Sequence, residues 1–361
     1  MVASLRRPLV VVGMSGGVDS SVAAALLEQR GFRVIGGFIK NWSETTDLWT
    51  GECAWRHERR DALRVAASLD IPLLTFDFEK AYRERVVAEL FRGYGAGETP
   101  NPDVLCNEAI KFGLFLEEAN TLGAAFVATG HYARIRRRIF GGVRLLRGAD
   151  PEKDQSYFLY RVPQDALRRT LFPVGGMTKA EVRATARRLK LPVADKPDSQ
   201  GICFIGKLDM AEFLRTRIPS KPGDIVDPDG NVIGRHEGLE RYTIGQRQRI
   251  AVSSGHPWYV ASKDAEANRL VVVPSDDHSL LFHRDAVVRD LHWTRGHAPR
   301  FPFQADVQIR YRQPPTSAVL TAGPGADTVA LAFDSPVKAL ATGQSAVFYR
   351  GDECLGGGII R

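Results

Sequence analysis

Between Leu9 and Gly130 the hydrophobic pattern changes period repeatedly. Short apolar runs at 9–12, 33–39, 73–77 and 124–129 have the length and β-branched character of buried strands. The segments 19–29, 56–69, 79–93 and 106–121 carry apolar residues at helical spacing. Strands alternating with helices across short links predict an open, mostly parallel sheet covered by helices. In such a sheet ligands sit beyond the carboxyl ends of the strands. Three segments fall there: Gly13 to Ser21, Phe38-Ile39-Lys40-Asn41-Trp42, and Ala128-Thr129-Gly130-His131-Tyr132. After about residue 205 short strands and turns replace the helical pattern. Asp229-Gly230 between Ile225-Val226 and Val232-Ile233 is a hairpin signal. Val271-Val272-Val273 before Pro274 closes one unit, and Ala286-Val287-Val288 opens another that runs to Ile360. The expected fold class is α/β followed by two small β-barrel-like domains. The expected divisions are 1–205, 206–280 and 281–361.

The chain has 361 residues, enough for two or three cores, and is 44% hydrophobic and 25% charged, ordinary for a soluble globular protein. No apolar run reaches membrane-spanning length, so no membrane partner is expected. Met1 to Pro8 is too short for a signal or transit peptide, and the expected location is the cytoplasm, where thiols stay reduced. The net charge of +7 is unevenly placed. Residues 101–200 hold 17 Lys and Arg against 11 Asp and Glu, while the rest hold 32 against 31. That central surplus, which includes Arg134, Arg136, Arg137 and Arg138, suits a polyanion such as RNA, or equally a set of solvated helix faces.

The first loop changes the picture most. Gly13-Met14-Ser15-Gly16-Gly17-Val18-Asp19-Ser20 lies between a strand and a helix. Glycines let backbone N–H groups approach phosphate oxygens, and a helix N-terminus adds partial positive charge. No Gly-Lys-Ser/Thr follows, which excludes a Walker A loop. The segment resembles the Ser-Gly-Gly-x-Asp-Ser loop of the ATP pyrophosphatases, which cleave ATP between the α and β phosphates. That resemblance implies ATP as co-substrate, with Asp19 helping to hold Mg²⁺.

Four cysteines, Cys53, Cys106, Cys203 and Cys354, have neither disulfide-framework nor zinc spacing. In Thr99-Pro100-Asn101-Pro102-Asp103-Val104-Leu105-Cys106, Asn101 is a plausible N-cap and Pro102 fits the first helical position. Asp103 and Cys106 then share a helix face, a carboxylate beside a thiol. The alternative is an acid complementing the helix dipole and a cysteine packed inward. Cys203 lies in Asp198-Ser199-Gln200-Gly201-Ile202-Cys203-Phe204-Ile205-Gly206. Its glycines suit an accessible thiol, although a strand cysteine is the plainer reading.

Over essentially its whole length the chain resembles the bacterial tRNA-specific 2-thiouridylases. The resemblance is carried by Gly13 to Ser21, Lys40-Asn41-Trp42, Thr99 to Asn107, Ala128 to Tyr132 and Lys153-Asp154-Gln155-Ser156-Tyr157-Phe158-Leu159-Tyr160. It continues in Asp198 to Gly206, Tyr242-Thr243-Ile244-Gly245-Gln246-Arg247, Arg310-Tyr311-Arg312-Gln313 and Gly343-Gln344-Ser345-Ala346-Val347-Phe348-Tyr349. The sequence departs from the family pattern at Arg247-Gln248-Arg249-Ile250, where Arg249 stands in place of a glycine.

The resemblance implies a catalytic domain of the adenine nucleotide alpha hydrolase type, with Gly13 to Ser20, Phe38 and Gly130 around ATP. Asn101, Pro102 and Asp103 would meet a uracil flipped out of the tRNA anticodon stem-loop. His131, Lys153, Asp154, Gln155, Arg310, Tyr311 and Gln344 would contact the tRNA. AMP would be placed on O2 of the wobble uridine. A Cys203 persulfide, charged by a cysteine desulfurase or relay protein, would deliver sulfur to C2. A Cys106–Cys203 disulfide would follow, with Asp103 as general acid/base. The segment carrying Cys203 is expected to be mobile and to order on tRNA binding. Two rivals share parts of this pattern: an amide or argininosuccinate-type ligase needs the first loop but not the thiols, and a non-catalytic RNA-binding protein needs neither.

Overall fold

The computed structural model describes residues 7–43, 53–138, 142–198, 210–252 and 256–361. The first unit begins β1 (Leu9–Gly13), α1 (Val18–Gln29), β2 (Arg33–Lys40), α2 (Ala54–Ser68) and β3 (Leu73–Asp77). A helical run follows, α3 (Glu79–Tyr82), a π-helical segment Arg83–Val87, and α4 (Ala88–Gly95). The next run is α5 (Pro102–Cys106), a π-helical segment Asn107–Leu114 and α6 (Phe115–Thr121), leading to β4 (Phe126–Thr129). Then come a hairpin, β5 (Ala133–Arg137) and β6 (Val143–Arg147), α7 (Gln164–Arg168), β7 (Thr170–Leu171) and α8 (Lys179–Arg188).

Five strands form one parallel sheet in the order β3-β2-β1-β4-β7. The continuous apolar run of β1 is what burial on both faces requires. Its residues alternate between two cores. Val10 and Val12 join Phe38, Met14 and Val22 on one face. Leu9 and Val11 join Ile39, Trp42, Val104 and Cys106 on the other.

After α9 (Met210–Arg215) come β8 (Gly223–Val226), β9 (Val232–His236), β10 (Tyr259–Asp264) and β11 (Arg269–Val273), a sheet in the order β10-β11-β8-β9. The Asp229-Gly230 hairpin forms as the sequence predicts, with Gly230 at φ +86°. Arg249 adopts φ +63°, so the backbone conformation that a glycine would favour is kept with a side chain present.

The last unit is β12 (Phe282–Trp293), β13 (Phe303–Gln308), β14 (Thr316–Ala322), β15 (Thr328–Lys338), β16 (Ser345–Arg350) and β17 (Glu353–Ile360). The order β12-β15-β14-β13-β16-β17 closes through pairing of β12 with β17 into a six-stranded antiparallel barrel. Of the two expected barrel-like parts, this one is closed, whereas the described strands of the central unit form a four-stranded sheet.

The β5–β6 hairpin joins the barrel sheet through Leu146 opposite Glu353. The sequence pattern missed it because its arginines read as basic surface. In the structure Arg134 pairs with Asp352 at 2.8 Å and Arg144 with Glu353 at 2.8 Å, while Arg137 donates to the carbonyls of Arg168 and Thr170.

Candidate active site

The loop from Gly13 to Ser20 leaves β1 at its carboxyl end and turns directly into α1. Gly16 has φ +74°, and a Cβ there would collide with the Glu58 carbonyl oxygen of α2, so both conformation and packing require glycine. Hydroxyls tie the loop to itself. Ser20 Oγ accepts from Ser15 N at 3.2 Å and donates to the Gly17 carbonyl, as does Ser21 Oγ at 2.7 Å. No side chain caps α1, whose N-cap is Gly17. Its first-turn N–H groups therefore remain as donors for an anion. Gly130, after β4, packs against this turn, and a Cβ there would lie 2.6 Å from Ser20 N. The Phe38 side chain is buried in the core, so a ligand could meet that residue only through its backbone.

Two lysines that the sequence reading passed over stand at this loop. Lys179 Nζ lies 2.7 Å from Asp19 Oδ1 and 2.8 Å from Asp198 Oδ1. Tyr132 donates its hydroxyl to Asp19 at 2.7 Å. Lys153 and Arg183 complete the ring around Asp198 at 2.9 and 2.7 Å. Burial alone would raise the Asp198 pKa, but hydrogen bonds from Lys179 and Lys153 outweigh it and hold the carboxyl well below its usual range. Lys196 donates to the Gly16 carbonyl at 3.1 Å and to Asp61 at 2.6 Å. Half-buried Glu58 is pushed up by desolvation, opposed by Lys196. These partners lie up to 180 residues apart in sequence, so no local spacing reveals them.

Uncapped N–H groups, a left-handed glycine and two lysines suit a phosphate chain. Among the described residues there is no group of three or more His, Cys, Asp or Glu that could cage a metal. Mg²⁺ needs no such cage, because it takes most ligands from phosphates and water. Asp19 fits the remaining ligand position, since Lys179 already has Asp198 as a second partner.

On the opposite sheet face, Asn101 caps α5 as its sequence predicts. Its Oδ1 accepts from Asp103 N at 3.2 Å and Val104 N at 3.4 Å, with Pro102 in the first turn. This places Asp103 one turn before Cys106, which is buried in the core that also holds Val104, Ile110 and Trp42. Helix α5 continues into the π-helical segment 107–114, an arrangement often found at functional sites. Cys203 and residues 199–209 lie outside the described residues, as therefore does the expected Cys106–Cys203 disulfide. No disulfide joins the described cysteines.

His131 follows Gly130 and lies between Thr129 Oγ1, at 2.8 Å from Nδ1, and Lys111 Nζ, at 3.5 Å from Nε2. Burial, with the Lys111 charge beside it, holds its pKa well below that of an ordinary histidine.

The residues expected at the tRNA are mostly engaged with the protein itself. Asp154 is buried and accepts from Gly148 N, Ser156 N and Arg147. Gln155 accepts from Tyr132 N, and Gln344 donates to the Thr99 carbonyl at 2.7 Å. Arg310 donates to the carbonyls of Ile244 and Ala339, while Tyr311 packs on Phe158 with ring centroids 4.5 Å apart. Lys153 reaches Asp198 beside the phosphate loop. The structure thus draws Lys153 toward Asp19, and Gln344 toward the Asn101 turn.

Three family models match in succession: a tRNA methyl transferase HUP domain over residues 8–207, a tRNA methyl transferase PRC-barrel domain over 211–274, and an aminomethyltransferase beta-barrel domain over 283–360. The chain is 46% identical to the tRNA-specific 2-thiouridylase MnmA of Geobacillus thermodenitrificans, covering 97% of this chain and 94% of that protein. It is 48% identical to the MnmA of Cupriavidus pinatubonensis over 98% of both. Among solved structures, a 4-thiouridine synthetase–RNA complex with bound ATP is 16% identical over 59% of this chain and 50% of that one, at TM-score 0.34, too slight a likeness to bear on function.

Proposed function

This chain belongs to the tRNA-specific 2-thiouridylase family, and from that premise we propose that it is an ATP-dependent tRNA-uridine 2-sulfurtransferase acting on the wobble uridine. The observation that carries the reading is full-length similarity to named 2-thiouridylases together with a phosphate loop and a buried thiol on one sheet. The model descriptions speak of methyl transfer, but a methyl donor has no use for a pyrophosphate-type loop or for paired thiols.

Uracil C2 is a weak electrophile and its oxygen a poor leaving group. The uncapped turn of α1, Ser15, Ser20 and Lys196 would hold the β and γ phosphates. Phe38 and Gly130 would border the nucleotide through their backbones. Asp19 would hold Mg²⁺, which would supply positive charge to the departing pyrophosphate. AMP transferred to O2 then leaves in place of oxide. The terminal sulfur of a Cys203 persulfide forms the C2–S bond and AMP departs. Cys106 thiolate attacks Cys203 Sγ, breaking S–S and releasing 2-thiouridine, and the Cys106–Cys203 disulfide is cleared by a two-electron thiol reductant. Asp103 would move the accompanying proton.

The tRNA would lie across Asn101, Pro102, His131, Lys153 and Tyr311, with Asp154, Gln155, Arg310 and Gln344 holding the surface that receives it. The divisions we propose are 1–205 for catalysis, 206–280 for the central unit and 281–361 for the tRNA-binding barrel. The sulfur donor would be a desulfurase or relay persulfide. No helix among the described residues is long and apolar enough to cross a membrane, and a cytoplasmic location belongs to the proposal.

The test is incubation with unmodified tRNA, ATP, Mg²⁺ and a persulfide donor, followed by nucleoside mass spectrometry. A sulfur-for-oxygen mass change at uridine is expected. A methyl mass change, or ATP turnover stimulated by a small amino acid instead of tRNA, would overturn the reading.

A further inference from the structure

Among the described residues of the α/β unit, buried side-chain nitrogen and oxygen atoms without a partner occur in only two residues, Asn41 and Asn107. Asn41 is 1% exposed, and neither its Nδ2 nor its Oδ1 has a hydrogen-bond partner. Asn107 donates through Nδ2 to the Phe158 carbonyl at 3.1 Å, leaving Oδ1 without a partner. An orphaned buried amide is destabilising and rare in folded proteins. Two such residues in one unit point to a ligand that supplies the missing partners.

Both asparagines adjoin residues of the core that contains the thiol. Asn107 directly follows Cys106. Asn41 lies one residue beyond β2, at the carboxyl edge where ligands of a parallel sheet bind. The packing of its neighbours indicates which ligand it serves. Phe38 faces the core that contains Met14 and Val18 of the phosphate loop, whereas Ile39 faces the core that contains Val104 and Cys106. Asn41 lies between two residues of that Cys106 core, Ile39 and Trp42, the latter edge-on to Phe213 at 5.8 Å. The adenine side belongs to Phe38. The base that must approach Cys106 is the substrate uracil.

We propose that Asn41 is a base-recognition residue, its amide accepting from N3–H and donating to O4 of the flipped uracil. Binding this edge leaves O2 and C2 unobstructed for adenylation and sulfur attack. The inference rests on the thiolation reading above. It also explains a cost in the protein without substrate: the amide is kept buried and unsatisfied so that the base finds no competing partner.

The test uses Asn41→Leu in the full chain, with Asn41→Asp as a second variant. Replacing an orphaned amide by an apolar group of similar size should leave thermal stability unchanged or raised. Thiolation kcat/KM should nevertheless fall by about tenfold or more, with ATP affinity measured without tRNA unchanged. A tRNA carrying 4-thiouridine at the target position, a weaker acceptor at this edge, should slow the wild type. The loss caused by Asn41→Leu should shrink on that substrate, because both changes remove the same hydrogen bond.

Equal kcat/KM for wild type and both variants, or fully additive losses, would overturn the role of Asn41 while leaving thiolation standing. Weakened ATP binding in Asn41→Leu would assign the residue to adenine instead. Absence of thiolation by the wild type would remove the underlying reading and this inference with it.

Discussion

The Asp19 side and the Cys106 side of the sheet rely on different physics. Around Asp19 nearly every charge has a partner: Lys179, Lys153, Arg183 and Asp198 form one connected set, and Lys196 ties Gly16 to Asp61. Cys106 lies in an apolar core, and Nδ2 and Oδ1 of Asn41 and Oδ1 of Asn107 lack partners. The first side is built to exchange one ion for another, since a phosphate can replace a carboxylate beside a lysine without leaving a charge exposed. On the inference above, the second side would be completed by a molecule that brings its own donors and acceptors.

That contrast can be broken most sharply at the thiols. Cys203→Ser should abolish thiolation while tRNA-dependent AMP release remains detectable, because the phosphate side is untouched. Nucleoside mass spectrometry beside an AMP assay checks this, and wild-type thiolation by the variant would remove the persulfide from Cys203. Next in size, Asp19→Ala should slow tRNA-dependent AMP formation by about a hundredfold or more, the scale of losing one transition-state charge contact. Unaltered ATP consumption would refute the role given to Asp19.

A smaller effect separates the two sides by pH. His131 is kept neutral by burial, so its folded pKa lies below its unfolded one. Below about pH 6.5 the unfolded chain binds the extra proton, and stability falls as pH drops, by up to ~1.4 kcal/mol per pH unit for a single site. Urea unfolding between pH 7 and pH 5 should show a shallower slope for His131→Phe than for the wild type. An identical slope would place the acid sensitivity elsewhere. The smallest effect lies away from both sides. Arg249→Gly relieves the φ +63° conformation and should add about 0.5–1 kcal/mol of stability by denaturant titration, with thiolation unchanged.

Much of the framework is legible from residue patterns, because strand and helix periods are local. β1, β2, β3 and the helices between them fall within a few residues of where apolar spacing puts them. Asn101 and Pro102 announce α5 by the same local logic. What the pattern hides is long-range. Arg134 and Arg137 read as a surface for RNA or as solvated charges, yet they hold Asp352 and the carbonyls of Arg168 and Thr170. Lys179 carries no signal in the residue pattern, yet it clamps Asp19. Asp154 and Gln344 carry the residue types of a polar contact surface and turn inward, because a buried carbonyl or N–H must be satisfied by some group. A sequence states which groups can bond, but not which partners folding will bring within reach.

The β5–β6 hairpin carries one consequence beyond the site. It is encoded with the α/β unit but hydrogen-bonds along the sheet of the barrel, where Arg147 N donates to the Asp352 carbonyl and the Arg147 guanidinium lies 3.5 Å from the centre of the Tyr349 ring. Sequence boundaries and cooperative units therefore do not coincide. A fragment ending before β12 would display the bare edge of β6, an invitation to intermolecular strand pairing. The barrel alone would lose Arg144, one of the two arginine partners of Glu353, and uncover Tyr349. Heating the intact chain should melt these two units in one transition, so that damage to the barrel is felt at the phosphate loop as lost stability before any contact with RNA is made.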